Sequence, residues 1–253
     1  MPLASVGDEQ IYFVQSGERG TPIVFVHGAG GSHLILGNQV RALGAITRTI
    51  ALDLPGHNKS GTRGRDTIED YRDVVAAFLA ALGCERAVIV GHSMGGAIAL
   101  TFALSHPEHV AGIGLVGTGA RLRVLPAILD GILHDFENTA RKITEYSFAP
   151  RADTELMKNS EIQLRLCDPK VTHGDYSACN NFDVMDRLAE IRMPAVIICG
   201  KQDRLTPPKY SEFLASKNPL ARVVLINGAG HNVMMEKPEE VNRALAEFAR
   251  GIF

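Results

Sequence analysis

Gly91-His92-Ser93-Met94-Gly95 sets a serine between two glycines, directly after the apolar run Ala87–Val90 and directly before a small-residue helical run that starts near Met94. At such a strand-to-helix turn the serine takes a strained backbone, and the glycines let strand and helix approach without a Cβ clash. The helix start adds unpaired N–H groups and the positive end of a dipole, so negative charge developing beside Ser93 would be stabilised. A serine hydroxyl is a weak nucleophile near neutral pH and needs an imidazole base, itself oriented by a carboxylate. Gly200-Lys201-Gln202-Asp203 follows the β-type run Ala195–Cys199, and Gly228-Ala229-Gly230-His231 follows Val223–Ile226. Both groups fall at carboxyl ends of predicted strands, the edge where ligands bind in open α/β sheets, and the order is Ser, Asp, His. The spacing predicts Ser93, Asp203 and His231 as a triad for acyl transfer.

A third part is needed, because the tetrahedral intermediate of acyl transfer carries an oxyanion. Val26-His27-Gly28-Ala29-Gly30-Gly31-Ser32 follows another apolar run, and such a loop can turn a main-chain N–H toward Ser93. The predicted donors are the N–H groups of Ala29 and Met94. A phosphate-binding glycine loop is excluded by spacing: G-x-G-x-x-G from Gly28 requires glycine where His33 stands, and no G-x-x-x-x-G-K-[ST] occurs.

The elements that must position these groups are legible as an alternation. Ile11–Val14, Ile23–Val26, Thr49–Leu52, Ala87–Val90 and Ile113–Val116 are short, Val- and Ile-rich strand patterns, the first preceded by a hairpin turn at Gly7-Asp8-Glu9-Gln10. Ile68–Leu82 and Met94–Leu104 have helical spacing between them. Alternating strands and helices predict an α/β class with a mostly parallel central sheet flanked by helices, and fully apolar strands fit a sheet covered on both faces. From about Gly119 to Asn181 the strand pattern stops, and helical candidates appear at Val124–Phe136, Thr139–Phe148 and Thr154–Leu166. The alternation then resumes with Ala195–Cys199, Pro208–Ser216, Val223–Ile226 and a last helix opened by Pro238. The predicted organisation is one core, residues 1–118 and 182–253, interrupted by a helical cap, residues 119–181.

Five motifs in order, His27-Gly28, Asp53-Leu54-Pro55-Gly56-His57, Gly91-His92-Ser93-Met94-Gly95-Gly96, Gly200-Lys201-Gln202-Asp203 and Gly230-His231, resemble those of the α/β-hydrolase fold superfamily along nearly the whole chain. In that family a D-x-P-G-x-G-x-S segment shapes a turn near the active-site mouth; here Asn58 stands at the second glycine position and Ser60 is retained. The resemblance implies loop-holding roles for His27 and His57. It is strongest to small capped serine carboxylesterases and to meta-cleavage C–C bond hydrolases, both with a helical cap. Dehalogenation is disfavoured, since Ser93 replaces the required aspartate and the chain has no tryptophan. The expected activity is hydrolysis of small to medium neutral carboxylic esters through an acyl-enzyme on Ser93. Alternatives are C–C bond hydrolysis of a vinylogous diketone, lyase chemistry in menaquinone synthesis, or a triad-retaining ligand receptor with negligible turnover.

Gly28, Leu125, Phe148, Met157 and Val233 are the candidate substrate-binding residues, and Arg121 or Arg123 could meet a carboxylate at the cap entrance. Neither a metal nor an organic cofactor is expected. Twenty-six Lys and Arg against 28 Asp and Glu leave a net charge of −2, which lacks the basic footprint of a nucleic-acid binder. No apolar run approaches the length of a membrane span, and the first residues carry no basic-then-apolar signal, so a cytoplasmic monomer or homodimer is expected. Cys84, Cys167, Cys179 and Cys199 form no C-x-x-C and read as ordinary thiols.

Overall fold

The computed structural model describes residues 2–252 except residue 62; residues 1, 62 and 253 of the predicted core lie outside the described residues. The chain opens with an antiparallel hairpin of β1 (Leu3–Val6) and β2 (Glu9–Ser16). There follow β3 (Ile23–Val26), α1 (Gly37–Leu43), β4 (Thr49–Leu52), α2 (Ile68–Ala81), β5 (Ala87–His92), α3 (Met94–Ser105) and β6 (Val110–Val116). Four helices then come in succession: α4 (Pro126–His134), α5 (Phe136–Ser147), α6 (Thr154–Arg165) and α7 (Pro169–Asn181). The alternation resumes with β7 (Ala195–Gly200), α8 (Pro208–Lys217), β8 (Ala221–Ile226), the short α9 (Val233–Glu236) and α10 (Pro238–Arg250).

The strands form one sheet in the order β1-β2-β4-β3-β5-β6-β7-β8, antiparallel around β2 and parallel from β4 to β8. Strand periodicity divides the apolar residues between two faces. Val24, Val26, Ile89, Ile113 and Ile197 pack with α2, α3 and α8, whereas Ile23, Phe25, Val88, Val90 and Ile198 pack with α1, α9 and α10. Both faces are therefore dry, which is why these strands read as continuous apolar runs. The most enclosed helix is α3, with Met94 through Ala103 all buried. Its small residues are steric necessities: a methyl group on Gly91 would collide with the Gly95 carbonyl, and one on Gly95 with the Val26 carbonyl.

The four-helix insertion leaves and returns at one place. Arg121 bridges Asp183 in antiparallel fashion, and Val184 N–H donates to Ala120 C=O at 2.8 Å. Three helices stand where the pattern predicts none: α1, α7 and the short α9. Helix α7 begins with Pro169 after Asp168, whose carboxylate accepts from Lys170 N–H at 2.8 Å. Its buried face is Thr172, Gly174, Asp175, Ala178 and Cys179, small or polar residues that make no hydrophobic stripe to read. No helix among the described residues is long and apolar enough to cross a membrane.

Candidate active site

Ser93 occupies the turn from β5 to α3 with φ +52° and ψ −115°, a conformation that costs a non-glycine residue about 1–3 kcal/mol and persists only where the surroundings enforce it. Here they do. Ser93 N–H donates to Val116 C=O at 2.9 Å, and the Ser93 carbonyl accepts from Gly96 N–H at 2.9 Å and from the Thr118 hydroxyl at 2.8 Å. The Ser93 hydroxyl itself has no hydrogen-bond partner among the described residues. It stands on the wall of a cavity of about 940 Å³ between the parallel sheet's carboxyl edge and the four-helix insertion.

His231, in the loop after β8, lines the same cavity. Its Nδ1–H donates to Asp203 Oδ2 at 2.9 Å, with both side chains buried. Asp203 follows β7 and is held by four more contacts than sequence reasoning assigned to it. Leu205 N–H and Thr206 N–H donate to Oδ1 at 2.9 and 2.8 Å, the Thr206 hydroxyl donates to Oδ2 at 2.8 Å, and the Cys199 thiol approaches Oδ2 at 4.0 Å. Burial pushes the Asp203 carboxyl up, but attraction to His231 and the His231 and Thr206 hydrogen bonds outweigh it and hold the group below the usual carboxylate range. With Nδ1 occupied by Asp203, the neutral ring has Nε2 as its free acceptor. Ser93 and His231 thus line one cavity, without a hydrogen bond between them.

The His231 loop is fixed from two sides. Glu236 accepts from Gly230 N–H at 2.8 Å and from Ala149 N–H at 2.9 Å, and Asn232 N–H donates to Ser147 C=O at 3.0 Å. His92, the residue before Ser93, donates from Nε2 to the His231 carbonyl at 3.1 Å. Burial, with the nearby His231 ring, pushes His92 down to about 3, so it stays neutral. Thr206 and His92 were missed in the sequence. The threonine three residues after Asp203 is the usual signal of a carboxylate capping its own loop, and could have been found that way.

Across the cavity, the Gly28-Ala29-Gly30-Gly31 loop lies beside Ser93, and Gly28 and Ala29 line the wall. The Ala29 and Met94 N–H groups have no hydrogen-bond partner among the described residues. Met94 is fully buried and not part of the cavity lining; only its N–H, at the first position of α3, belongs to the Ser93 turn. His27 Nδ1–H donates to Gly28 C=O at 2.8 Å while Nε2 accepts from Leu54 N–H at 3.0 Å, which uses both ring nitrogens in a neutral form. Burial and the neighbouring His57 push His27 down to about 4. Asn58 takes φ +43°, the conformation for which glycine is usual, and its amide donates to Asp53 Oδ2 at 3.0 Å. Ser60 donates to Asp53 C=O at 2.7 Å and completes that turn.

Of the candidate substrate-binding residues, Gly28 and Leu125 line the cavity, and Phe148, Met157 and Val233 do not. Phe148 is fully buried with its backbone against Gly230, and Met157 lies half-buried on α6 one turn before the lining residue Ser160. Val233 is turned by α9 into the core beside α1 and α10, leaving Met235 to reach the wall. Arg123 lines the cavity but is engaged by Asp183 at 3.6 Å and the Asn180 carbonyl; Arg121 lies 3.8 Å from the same Asp183. Two thiols also face the cavity. Burial pushes Cys167 up to about 11 and raises Cys179 further, so both are protonated and poor nucleophiles. No group of three or more His, Cys, Asp or Glu among the described residues is arranged to hold a metal ion.

The sequence matches the model of the "Alpha/beta hydrolase family" over residues 23–244. A dihydrolipoyllysine-residue acetyltransferase component of an acetoin cleaving system from Pseudomonas putida is 31% identical over 265 residues, covering 98% of this chain and 68% of that protein. A pimeloyl-[acyl-carrier protein] methyl ester esterase from Yersinia enterocolitica is 26% identical over 257 residues, covering 96% of this chain and 98% of that protein. Among solved structures, a thermophilic esterase superposes with a TM-score of 0.89 at 32% identity, covering 99% of this chain and 97% of that one. With the strand order, the inserted helices and the family match all agreeing, the chain belongs to the alpha/beta hydrolase family.

Proposed function

We propose that the protein is a serine carboxylesterase acting on small to medium neutral esters, with residues 119–181 as a cap over the site. The observation that carries this reading is the buried Asp203–His231 pair opening onto the same cavity wall as the unpartnered Ser93 hydroxyl. His231 Nε2 takes the Ser93 proton as Oγ attacks the ester carbonyl, and the N–H groups of Ala29 and Met94 receive the oxyanion. His231 then protonates the leaving alcohol and activates the water that releases the acid, while Asp203 keeps the ring in the Nδ1–H tautomer. The exposed leucines of the rim support an apolar acyl group. Leu34, Leu125, Leu166 and Leu205 are exposed there, while Arg204 is turned to the Glu145 and Phe148 carbonyls and the Tyr146 ring.

A panel of p-nitrophenyl esters of increasing acyl length, run beside labelling with a fluorophosphonate and peptide mapping, tests the reading. The expected result is turnover that peaks at short to medium acyl chains, and a single label on Ser93. Absence of turnover on every ester together with cleavage of a meta-ring-fission diketone would replace it by C–C hydrolysis.

Thr206 provides a finer check, because its hydroxyl contacts both Asp203 and, at 3.1 Å, His231 Nδ1. Thr206→Val keeps the shape and the main-chain N–H but removes a hydrogen bond worth about 1 kcal/mol, so kcat should fall about fivefold with KM unchanged. A kcat equal to that of the parent would mean that the hydroxyl does not help hold the pair.

A further inference from the structure

The donor peptide at Ala29 is clamped on both sides. The Gly28 carbonyl, which shares a peptide plane with Ala29 N–H, accepts from His27 Nδ1–H at 2.8 Å and from Gly31 N–H at 3.0 Å. The next peptide is held from a different part of the chain: Gly30 N–H donates to Asp175 Oδ2 at 2.8 Å. Asp175 sits on α7, within the insertion, 145 residues away, and is fully buried. Gly30 has φ +62°, and a Cβ there would run into the Leu164 side chain of α6, so insertion and loop are in direct contact.

A buried carboxylate needs compensation, and this one has it. His57 Nε2–H donates to Oδ2 at 2.8 Å and the Tyr71 hydroxyl to Oδ1 at 2.6 Å. The other ring nitrogen of His57 faces the Pro55 carbonyl at 3.0 Å, so both nitrogens meet acceptors and both carry protons. Burial opposes that charge on His57, but attraction to Asp175 and the hydrogen bonds to Asp175 and Pro55 outweigh it, and the net effect raises the group above its ordinary value. Tyr71 in turn accepts from Arg65 N–H at 3.0 Å. The result is a neutral, fully hydrogen-bonded knot that joins α7 to α2, to the Asp53–Ser60 turn and to the oxyanion loop.

We propose that Asp175 is a positioning residue for the reaction: through Gly30 N–H it fixes the Ala29 peptide in the orientation that receives the oxyanion, so that the seating of the cap and the assembly of the oxyanion hole are one event. The inference rests on the esterase reading above. A structural tie alone would serve stability; a tie made to the peptide adjoining the donor also sets the geometry in which charge is stabilised, where a misplacement of 1 Å can cost about a hundredfold.

The test compares Asp175→Ala, Asp175→Glu and Tyr71→Phe in the full chain, with active sites counted by fluorophosphonate titration. Asp175→Ala removes the acceptor of Gly30 N–H outright, and kcat per titrated site should fall about 30-fold while KM stays within about twofold. Inhibition by a trifluoromethyl ketone, which needs the oxyanion donors, should weaken in proportion. Asp175→Glu keeps the charge for His57 but moves the oxygen, so it should fold and show a smaller loss of the same kind; it carries the test if the alanine variant does not fold. Tyr71→Phe removes one of the donors that hold Asp175 and leaves its contact to Gly30, so it should lower the Tm and show a loss of kcat per site smaller than that of the Asp175 variants, with KM within about twofold. Parental kcat and ketone affinity in the folded Asp175 variants would overturn the proposal. A parent that neither labels nor turns over would instead defeat the esterase reading.

Discussion

Ser93→Ala is expected to remove ester turnover by about a millionfold, down to the background that binding and the oxyanion donors alone supply, without unfolding the protein. The structure gives both halves of this expectation. The hydroxyl makes no hydrogen bond, so its loss leaves no buried group unpaired. The strained turn is held by main-chain contacts to Val116 and Gly96 and by the Thr118 hydroxyl, all of them independent of the Ser93 side chain. Alanine carries the same Cβ and takes the same strain. Circular dichroism and the Tm should therefore match the parent while the p-nitrophenyl ester rate and the fluorophosphonate label disappear together. Retention of even one per cent of the parental rate in a protein free of parent contamination would assign the nucleophile elsewhere.

What the sequence discloses of this arrangement depends on whether the constraint is local. The turn at Ser93 demands glycine at 91 and 95 because neighbouring backbone lies where a Cβ would be, and that demand is printed within five residues. Loops that close parallel strands likewise sit next to recognisable Val- and Ile-rich runs, which places Asp203 and His231 at one edge of the sheet. The Asp175 knot is the opposite case. Its partners Gly30, His57 and Tyr71 are separated from it by 145, 118 and 104 residues, and no spacing rule links them. Helix α7 escaped for a related reason: it seats on core loops through small and polar residues, so its buried face has no apolar period.

The cavity-lining residues show a third limit. Val233 lies two positions beyond His231, and adjacency suggests proximity to the substrate, yet α9 turns it into the core beside α1 and α10 and leaves Met235 at the cavity wall. Phe148 and Met157 are apolar residues of the insertion, but an insertion helix has two faces, one toward neighbouring helices and one toward the cavity. Sequence alone supplies the residues and not the rotation. Leu164 is the converse, since it both packs in the insertion's own small core and reaches the cavity wall.

Asp203→Asn should cost about ten-thousandfold in kcat, far more than the loss of a charge some distance from the reacting atoms would suggest. The reason is the orientation forced on the new amide. Oδ1 of Asp203 accepts from both Leu205 N–H and Thr206 N–H, at 2.9 and 2.8 Å, and a buried pair of donors must keep an acceptor. The asparagine oxygen therefore stays at that position, and its NH2 group takes the place of Oδ2, facing His231 Nδ1 and the Thr206 hydroxyl. A donor facing Nδ1 drives the ring proton to Nε2, the nitrogen that must accept from Ser93. The variant thus keeps its geometry, its cavity and its KM, and loses its base. Nitrogen-15 NMR of the histidine ring should show the Nδ1–H tautomer in the parent and the Nε2–H tautomer in the variant, with fluorophosphonate labelling slowed in step with kcat. A loss smaller than about tenfold, or an unchanged tautomer, would mean that Asp203 does not set the protonation of His231, and the proposed division of labour between the two residues would have to be abandoned.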